Sequence, residues 1–228
     1  MAGTLYIVST PIGNLNDITF RAVSIFEEVD IIAAEDTRVI KKILNKFNIE
    51  KKCISYNNYN ENTKFTYLLS LLKDKLNIAL VSDAGSPCIS DPGYKIVNAA
   101  RLENFDVISI PGASSPIAAL SISGLPTDKF YFEGFLPKKK GRQTRFLFLS
   151  SMDATIIIYE SPKRLLKTIN NIIDYMGDRI ISVVKEITKI HESVYLGKAS
   201  NVIELFDTKN LRGEFIILVA KEGYQINE

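Results

Sequence analysis

The chain has 228 residues, 46% of them hydrophobic and 24% charged, with 28 Lys plus Arg against 26 Asp plus Glu. That is the profile of a globular protein with one large or two modest domains and a core able to fold without staples; its near-neutral balance excludes a coat-and-condense nucleic-acid binder but allows a local basic patch. Cys53 and Cys88 lack CxxC spacing and His191 is alone, which excludes a zinc framework and points to a reducing compartment.

The N-terminus MAGTLYIVSTPIGN lacks a basic leader pattern, so cytoplasmic localisation is expected. LYIVS (Leu5 to Ser9), DIIAA (Asp30 to Ala34), IALVS (Ile78 to Ser82) and DVISI (Asp106 to Ile110) are short apolar runs of the kind buried on both faces of a parallel sheet. Helical patterns separate them at Thr19 to Val29, Val39 to Phe47, Asn62 to Lys75 and Tyr94 to Asn104. Phe65, Leu68, Leu69 and Leu72 fall on one helical face. Asp17 and Asp91 read as helix starts. The charge-free run from Val107 to Thr127 is broken by Pro, Gly and Ser; it predicts a strand, a turn and a small helix rather than a membrane span.

The second half predicts strands at YFEGF and TIIIYE flanking a helix around Arg142 to Ser151, then a helix from Lys163 to Tyr175. RIISVVKEI, ESVYLGKA and EFIILVA follow, with only a short helix near Asn201 to Phe206 among them; such closeness implies antiparallel pairing in a mixed sheet. The turn GLPTD (Gly124 to Asp128) sets the expected boundary. Two α/β domains are thus predicted, 1–125 with a mostly parallel sheet and flanking helices, and 126–228 with a mixed sheet.

The loops after the strands carry the chemistry: TPIGN (Thr10 to Asn14), EDTR (Glu35 to Arg38), SDAGSPCISDPG (Ser82 to Gly93), PGASSP (Pro111 to Pro116) and ESPKR (Glu160 to Arg164). All are polar, rich in small residues and at carboxyl ends of strands, where open α/β sheets bind ligands. GxGxxG, GxxxxGK[ST] and GxSxG are all missing, which weakens dinucleotide, nucleoside-triphosphate and serine-hydrolase readings. Their carboxylates Glu35, Asp36, Asp83, Asp91 and Glu160 suit either helix capping or a cationic ligand. PKKKGRQTR concentrates positive charge on Lys138, Lys139, Lys140, Arg142 and Arg145, and Arg38, Lys163 and Arg164 add cations to the loops; together they can steer a polyanion. Tyr56, Tyr59, Phe132 and Phe135 are rings able to stack on a base, although strand alternation in FYFEGF sends some of them into the core.

LYIVSTPIGNLNDIT, AAEDTR, ALVSDAGSPCISDPG, PGASSPIAAL, FYFEGFLPKK, IIIYESPKR and KEITKIHE, in order over nearly the whole chain, resemble the 16S ribosomal RNA (cytidine 2′-O)-methyltransferases of the small subunit methyltransferase I family, within the tetrapyrrole methylase superfamily. The resemblance implies two α/β domains with S-adenosylmethionine in the cleft between them, a homodimer, and 16S rRNA within the small ribosomal subunit as partner. It places cofactor contacts on Pro11, Asp83, Ala84, Gly85, Ser86, Pro87 and Ile89, on Ser114 and Ser115, on Tyr159 and Glu160, and on Gly213 and Glu214. It implies no metal and no membrane. TPIGN replaces the glycine-rich GPGD loop of tetrapyrrole enzymes, which disfavours a porphyrin-type acceptor. Many members continue for several tens of residues past the last strand, whereas this chain ends at Glu228.

Methyl transfer from a sulfonium is an in-line displacement governed by alignment, and a ribose hydroxyl gains from a general base. Asp36 and Glu160 are the expected bases, ahead of Glu35, Lys163, Lys185 and Glu186; His191 fits better as a structural residue at a strand start. Two other readings compete: a small-molecule methyltransferase of the tetrapyrrole type, and a non-catalytic cofactor-binding module on the ribosome.

Overall fold

The computed structural model describes residues 2–207 and 211–226. The chain divides into two compact units, Met1–Ser114 and Ser115–Glu228. The division falls before the helix Ser115–Ile122 rather than at 125/126, because that helix packs on the last strand of the second unit.

In the first unit, strands β1 (Leu5–Val8), β2 (Ile31–Ala34), β3 (Lys52–Ser55), β4 (Ile78–Val81) and β5 (Val107–Ile110) form a sheet in the order β3-β2-β4-β1-β5, parallel throughout. Helices α1 (Phe20–Glu28), α2 (Thr37–Lys46), α3 (Glu61–Lys73) and α4 (Tyr94–Leu102) cover it. Strand alternation divides the core. Ile32, Ala34, Ala79 and Val81 meet Phe26, Ile40 and Leu44 of α1 and α2 on one face. Ile31, Ala33, Ile78 and Leu80 meet Leu68, Leu72, Ile96 and Ala100 of α3 and α4 on the other. Every residue of β2 and β4 is buried, which is why both read as unbroken apolar runs. At the edge, β3 begins with exposed Lys52 and shows no such run.

Two expected helix starts move. Asp17 ends a 3-10 turn (Leu15–Asp17), and the Thr19 side chain caps α1 by accepting from the Ala22 amide at 3.1 Å. Helix α4 has Gly93 as its N-cap, whose φ of 138° suits glycine, and Asp91 makes no cap.

The second unit holds α5 (Ser115–Ile122), β6 (Phe130–Phe135), α6 (Arg142–Ser150), β7 (Thr155–Glu160), a 3-10 turn (Pro162–Arg164), α7 (Leu165–Met176), β8 (Ile180–Lys185), β9 (Ser193–Lys198), α8 (Ala199–Glu204) and β10 (Phe215–Val219). The sheet order is β6-β7-β10-β8-β9, with β6 and β7 parallel and the other neighbours antiparallel. It is the mixed sheet the strand spacing predicts. The β6–β7 register skips Glu133, so β6 carries a bulge, and Gly134 at φ 69° supplies the left-handed residue that such a kink uses. Among the described residues, no helix is long and apolar enough to cross a membrane.

Candidate active site

On the first unit, the loops after β1 and β4 are stitched together. Thr10 and Gly85 exchange both backbone hydrogen bonds, at 2.9 and 3.0 Å, and the Thr10 hydroxyl donates to the Ser82 carbonyl at 3.1 Å. Ser9 and Ser86 pair through their hydroxyls at 2.9 Å. This clasp fixes Pro11, which is buried, beside the Asp83–Pro87 segment. Between Ser82 and Gly93 the chain takes positive φ at Gly85, Cys88, Ser90 and Gly93, two of them non-glycine. A loop wound this way needs external anchors. One is Glu61, the buried first residue of α3, which accepts from the Gly93 amide at 2.9 Å and from the Tyr56 hydroxyl at 3.2 Å while pairing with Lys95. Sequence reasoning missed Glu61, since a carboxylate opening a helix reads as a surface partner of the helix dipole. Ile89 and Ala84 are exposed on the loop, and Ser114 is half-buried after β5.

The loop carboxylates crowd one another. The Asp36 amide donates to Asp83 Oδ1 at 2.9 Å, and the Asp83 amide donates to Glu35. Burial first, then the charges of Asp91 and Asp83, push the Glu35 carboxyl up. Burial likewise raises Asp83 and Asp91, with Asp36 repelling the former and Asp83 the latter. Arg38, the nearby cation, is 86% exposed and turned to Asp36, with Nη2 at 2.5 Å from Oδ2. A donor set of partly desolvated, mutually repelling carboxylates matches a cation such as a sulfonium or an ammonium.

The two expected bases both hold partners within the chain. Asp36 is the N-cap of α2, accepting from the Arg38 amide at 2.8 Å; hydrogen bonds from Arg38 hold its carboxyl down to about 2. On the second unit, Glu160 at the end of β7 has a fully buried side chain. Its Oε1 accepts from the Ser161 amide at 2.9 Å and faces Arg164 Nε at 3.2 Å, while Oε2 accepts from the Thr168 hydroxyl at 2.6 Å. Thr168 Oγ1 in turn accepts from Arg142 Nη2 at 2.6 Å. Glu160 is the centre of a buried ionic network.

Its neighbour Tyr159 points its hydroxyl at Ser115 Oγ, 2.5 Å away, and Phe132 and Phe135 both stand edge-on to its ring, with centroids at 5.1 and 5.4 Å. Gly213, at φ 97°, lies so close to Glu186 that a Cβ would sit 2.7 Å from that side chain; Glu186 accepts from the Glu214 amide at 2.8 Å, and Lys189 bridges Glu186 and Glu214 at 2.9 and 3.0 Å. The Gly213–Glu214 turn is thereby tied to the end of β8. His191 is exposed in the turn before β9, and none of its described contacts links it to Tyr159 or Glu160.

The expected basic patch divides. Lys138, Lys139, Lys140 and Lys163 are exposed and, among the described residues, in no ion pair. Arg142 is only 6% exposed and bonds the Pro137 carbonyl, Asn171 and Thr168, because α6 opens against α7. Arg145 is paired with Glu133 and bonds the Tyr131 hydroxyl at 2.7 Å, and Arg164 donates to the Leu136 carbonyl at 2.8 Å. These three arginines brace the fold and leave the free positive charge to the lysines.

Residues 4–203 match the family of Tetrapyrrole (Corrin/Porphyrin) Methylases. The chain is 44% identical to the ribosomal RNA small subunit methyltransferase I of Thermotoga maritima, over 96% of this chain and 100% of that one. It is 45% identical to the same-named protein of Halalkalibacterium halodurans and 47% identical to that of Synechocystis, covering 98% and 96% of this chain and 78% and 79% of theirs. Among solved structures it resembles a diphthine synthase (TM-score 0.75, 17% identity, 96% of this chain and 90% of that one) and a uroporphyrin-III-C-methyltransferase from Thermus thermophilus (TM-score 0.68, 17% identity, 96% and 94%), likenesses that establish the fold alone. The parallel sheet with its clasped loops, the mixed sheet whose strand β7 ends at Tyr159–Glu160, and sequence identity running through both units together make this chain a member of the tetrapyrrole methylase family, in its ribosomal RNA small subunit methyltransferase I branch.

Proposed function

We propose that the chain transfers a methyl group from S-adenosylmethionine to the 2′-hydroxyl of a cytidine in 16S ribosomal RNA, acting in the cytoplasm as a homodimer on the small ribosomal subunit. The observation that carries the reading is the 44–47% identity, over nearly the whole chain, to proteins named ribosomal RNA small subunit methyltransferase I. The chemistry of the loops fits the cofactor. S-adenosylmethionine supplies an electrophilic methyl on a cationic sulfur.

On the first unit, Pro11, Asp83, Ala84, Gly85, Ser86, Pro87, Ile89 and Ser114 are the proposed donor contacts, and on the second Ser115, Tyr159, Gly213 and Glu214. The repulsion among Glu35, Asp83 and Asp91 is relieved by a bound cation, so the loop favours a charged donor over a neutral one. The Thr10–Gly85 clasp and the Glu61 anchor fix the loop before the donor arrives, and that preorganisation supplies alignment. Glu160 belongs to this reading as a positioning residue that holds the end of β7, and with it Tyr159. For the proton of the ribose hydroxyl, Glu35 is better matched than Asp36, since its carboxyl is raised while that of Asp36 is lowered.

The test is incubation with methyl-labelled S-adenosylmethionine and small ribosomal subunits lacking the modification, with naked 16S RNA in parallel, followed by nuclease digestion and mass spectrometry. Labelled 2′-O-methylcytidine is expected. Label on a base or on a different nucleoside, or none in either RNA from protein that binds the donor, overturns the reading.

A further inference from the structure

We propose that Phe135 is the platform on which an unpaired base of the RNA substrate stacks, with Lys138, Lys139, Lys140 and Lys163 holding the neighbouring phosphates; this rests on the RNA methyltransferase reading above. Plain alternation along β6 puts Phe132 and Phe135 on opposite faces of the sheet. The bulge that skips Glu133 cancels that alternation, and both rings end against Tyr159. Phe132 is half-buried there, whereas Phe135 is 62% exposed. A large ring presented to water, packed at 61° to a second ring and carried on a strand in register with β7, is a rigid surface that the described residues leave largely uncovered.

Charge selects the occupant. The four lysines follow immediately after the two parallel strands that carry Phe135 and Tyr159. All four are exposed and, among the described residues, in no ion pair, whereas Arg142, Arg145 and Arg164 are committed to Thr168, Glu133 and Glu160. An aromatic face flanked by unpaired lysines binds single-stranded nucleic acid, where the ring meets a base and the ammonium groups meet the backbone. Duplex RNA buries its base faces and offers the ring nothing, so the partner is an unpaired segment.

Steady-state methylation of unmodified small ribosomal subunits tests the assignment, with donor affinity measured separately by calorimetry. Phe135→Ala should lower kcat/KM for subunits by about 5- to 150-fold, the range for loss of one base stack. The donor Kd and the melting temperature should stay within error, and Phe135→Trp should restore most of the loss. Replacing Lys138, Lys139 and Lys140 together by Gln should reduce the salt slope of subunit affinity by about 2. Leu102→Ala, at a still more exposed apolar side chain on α4, should change nothing. If Phe135→Ala leaves kcat/KM unchanged, the platform assignment is wrong while the methyltransferase reading stands. A change of oligomeric state in Phe135→Ala with RNA affinity intact overturns it in favour of contact with a second copy. A wild-type protein that binds donor yet methylates no RNA removes the underlying reading, and the platform with it.

Discussion

Glu160→Gln separates a positioning role from a chemical one. The substitution keeps shape and one acceptor but removes the charge on which Arg164 Nε converges at 3.2 Å and the Thr168 hydroxyl at 2.6 Å, in a side chain with no exposed surface. Removing one partner of a buried pair costs about 3–5 kcal/mol, because the other charge is left uncompensated. Arg164 retains 22% exposure and a bond to the Leu136 carbonyl, so the cost falls to the bottom of that range or just below it, about 2–3 kcal/mol. For a chain of this length each kcal/mol moves the midpoint by about 2–4 °C, which gives a fall in Tm of about 5–10 °C by circular dichroism. Turnover per folded molecule, measured well below the transition, should remain within about threefold of wild type, well short of the 10²–10⁴ that general-base loss costs. Thr168→Val, which removes the Oε2 partner, should lower Tm in the same direction by a smaller amount. An unchanged Tm accompanied by a collapse of kcat would refute this reasoning and return Glu160 to the role of base.

The raised carboxylates make donor binding pH-dependent: as pH falls through the elevated values of Glu35, Asp83 and Asp91 they protonate and lose their attraction for a cation, so calorimetric affinity should drop on the acid side and level off above those values. Because their folded pKa values lie above the unfolded ones, these groups favour the fold below the unfolded values and lose that contribution as pH rises through the folded ones. Asp91→Asn should therefore raise Tm at pH 7 while weakening donor binding; a lowered Tm would contradict the sign. Gly93→Ala places a Cβ 2.6 Å from Cys88 Sγ at φ 138°, and should cost about 1–3 kcal/mol or more together with most donor affinity; an unperturbed variant would show that the loop tolerates rewinding. Asp36→Asn keeps the cap acceptor and should leave kcat and its pH profile above pH 4 intact, whereas a loss of 10²-fold or more would reinstate Asp36 as the base.

Much of the fold was legible because burial on both sheet faces leaves a direct trace. Ile31–Ala34 and Ile78–Val81 are apolar at every position since each alternate residue meets a different pair of helices. The loops after those strands were equally plain, from their glycine, proline and carboxylate content. What escaped depends on contacts between distant segments. Arg142 and Arg145 look like a solvated basic run, yet one is buried against Thr168 and Asn171 and the other is matched by Glu133 across the bulge. The bulge left a single local trace, Gly134 inside a strand pattern, which is a known mark of broken alternation. Without it the two rings of FYFEGF cannot be assigned to a face. The roles of the individual carboxylates were illegible for a related reason, since loop carboxylates at strand ends read alike in sequence and differ only in what they accept from.

The parallel pairing of β1 also shapes how the protein comes into being. Leu5 lies opposite Ile78 on one side and Val107 on the other, so β1 has no partner until most of its unit has been synthesised. Its apolar face stays uncovered meanwhile, a segment for chaperones to shield. The β8–β9 pair, by contrast, closes within a few residues of its own turn. Non-local pairing slows folding and local pairing speeds it, so refolding from denaturant should proceed in two phases, the second unit acquiring protection from hydrogen exchange before the sheet that carries the clasped loops.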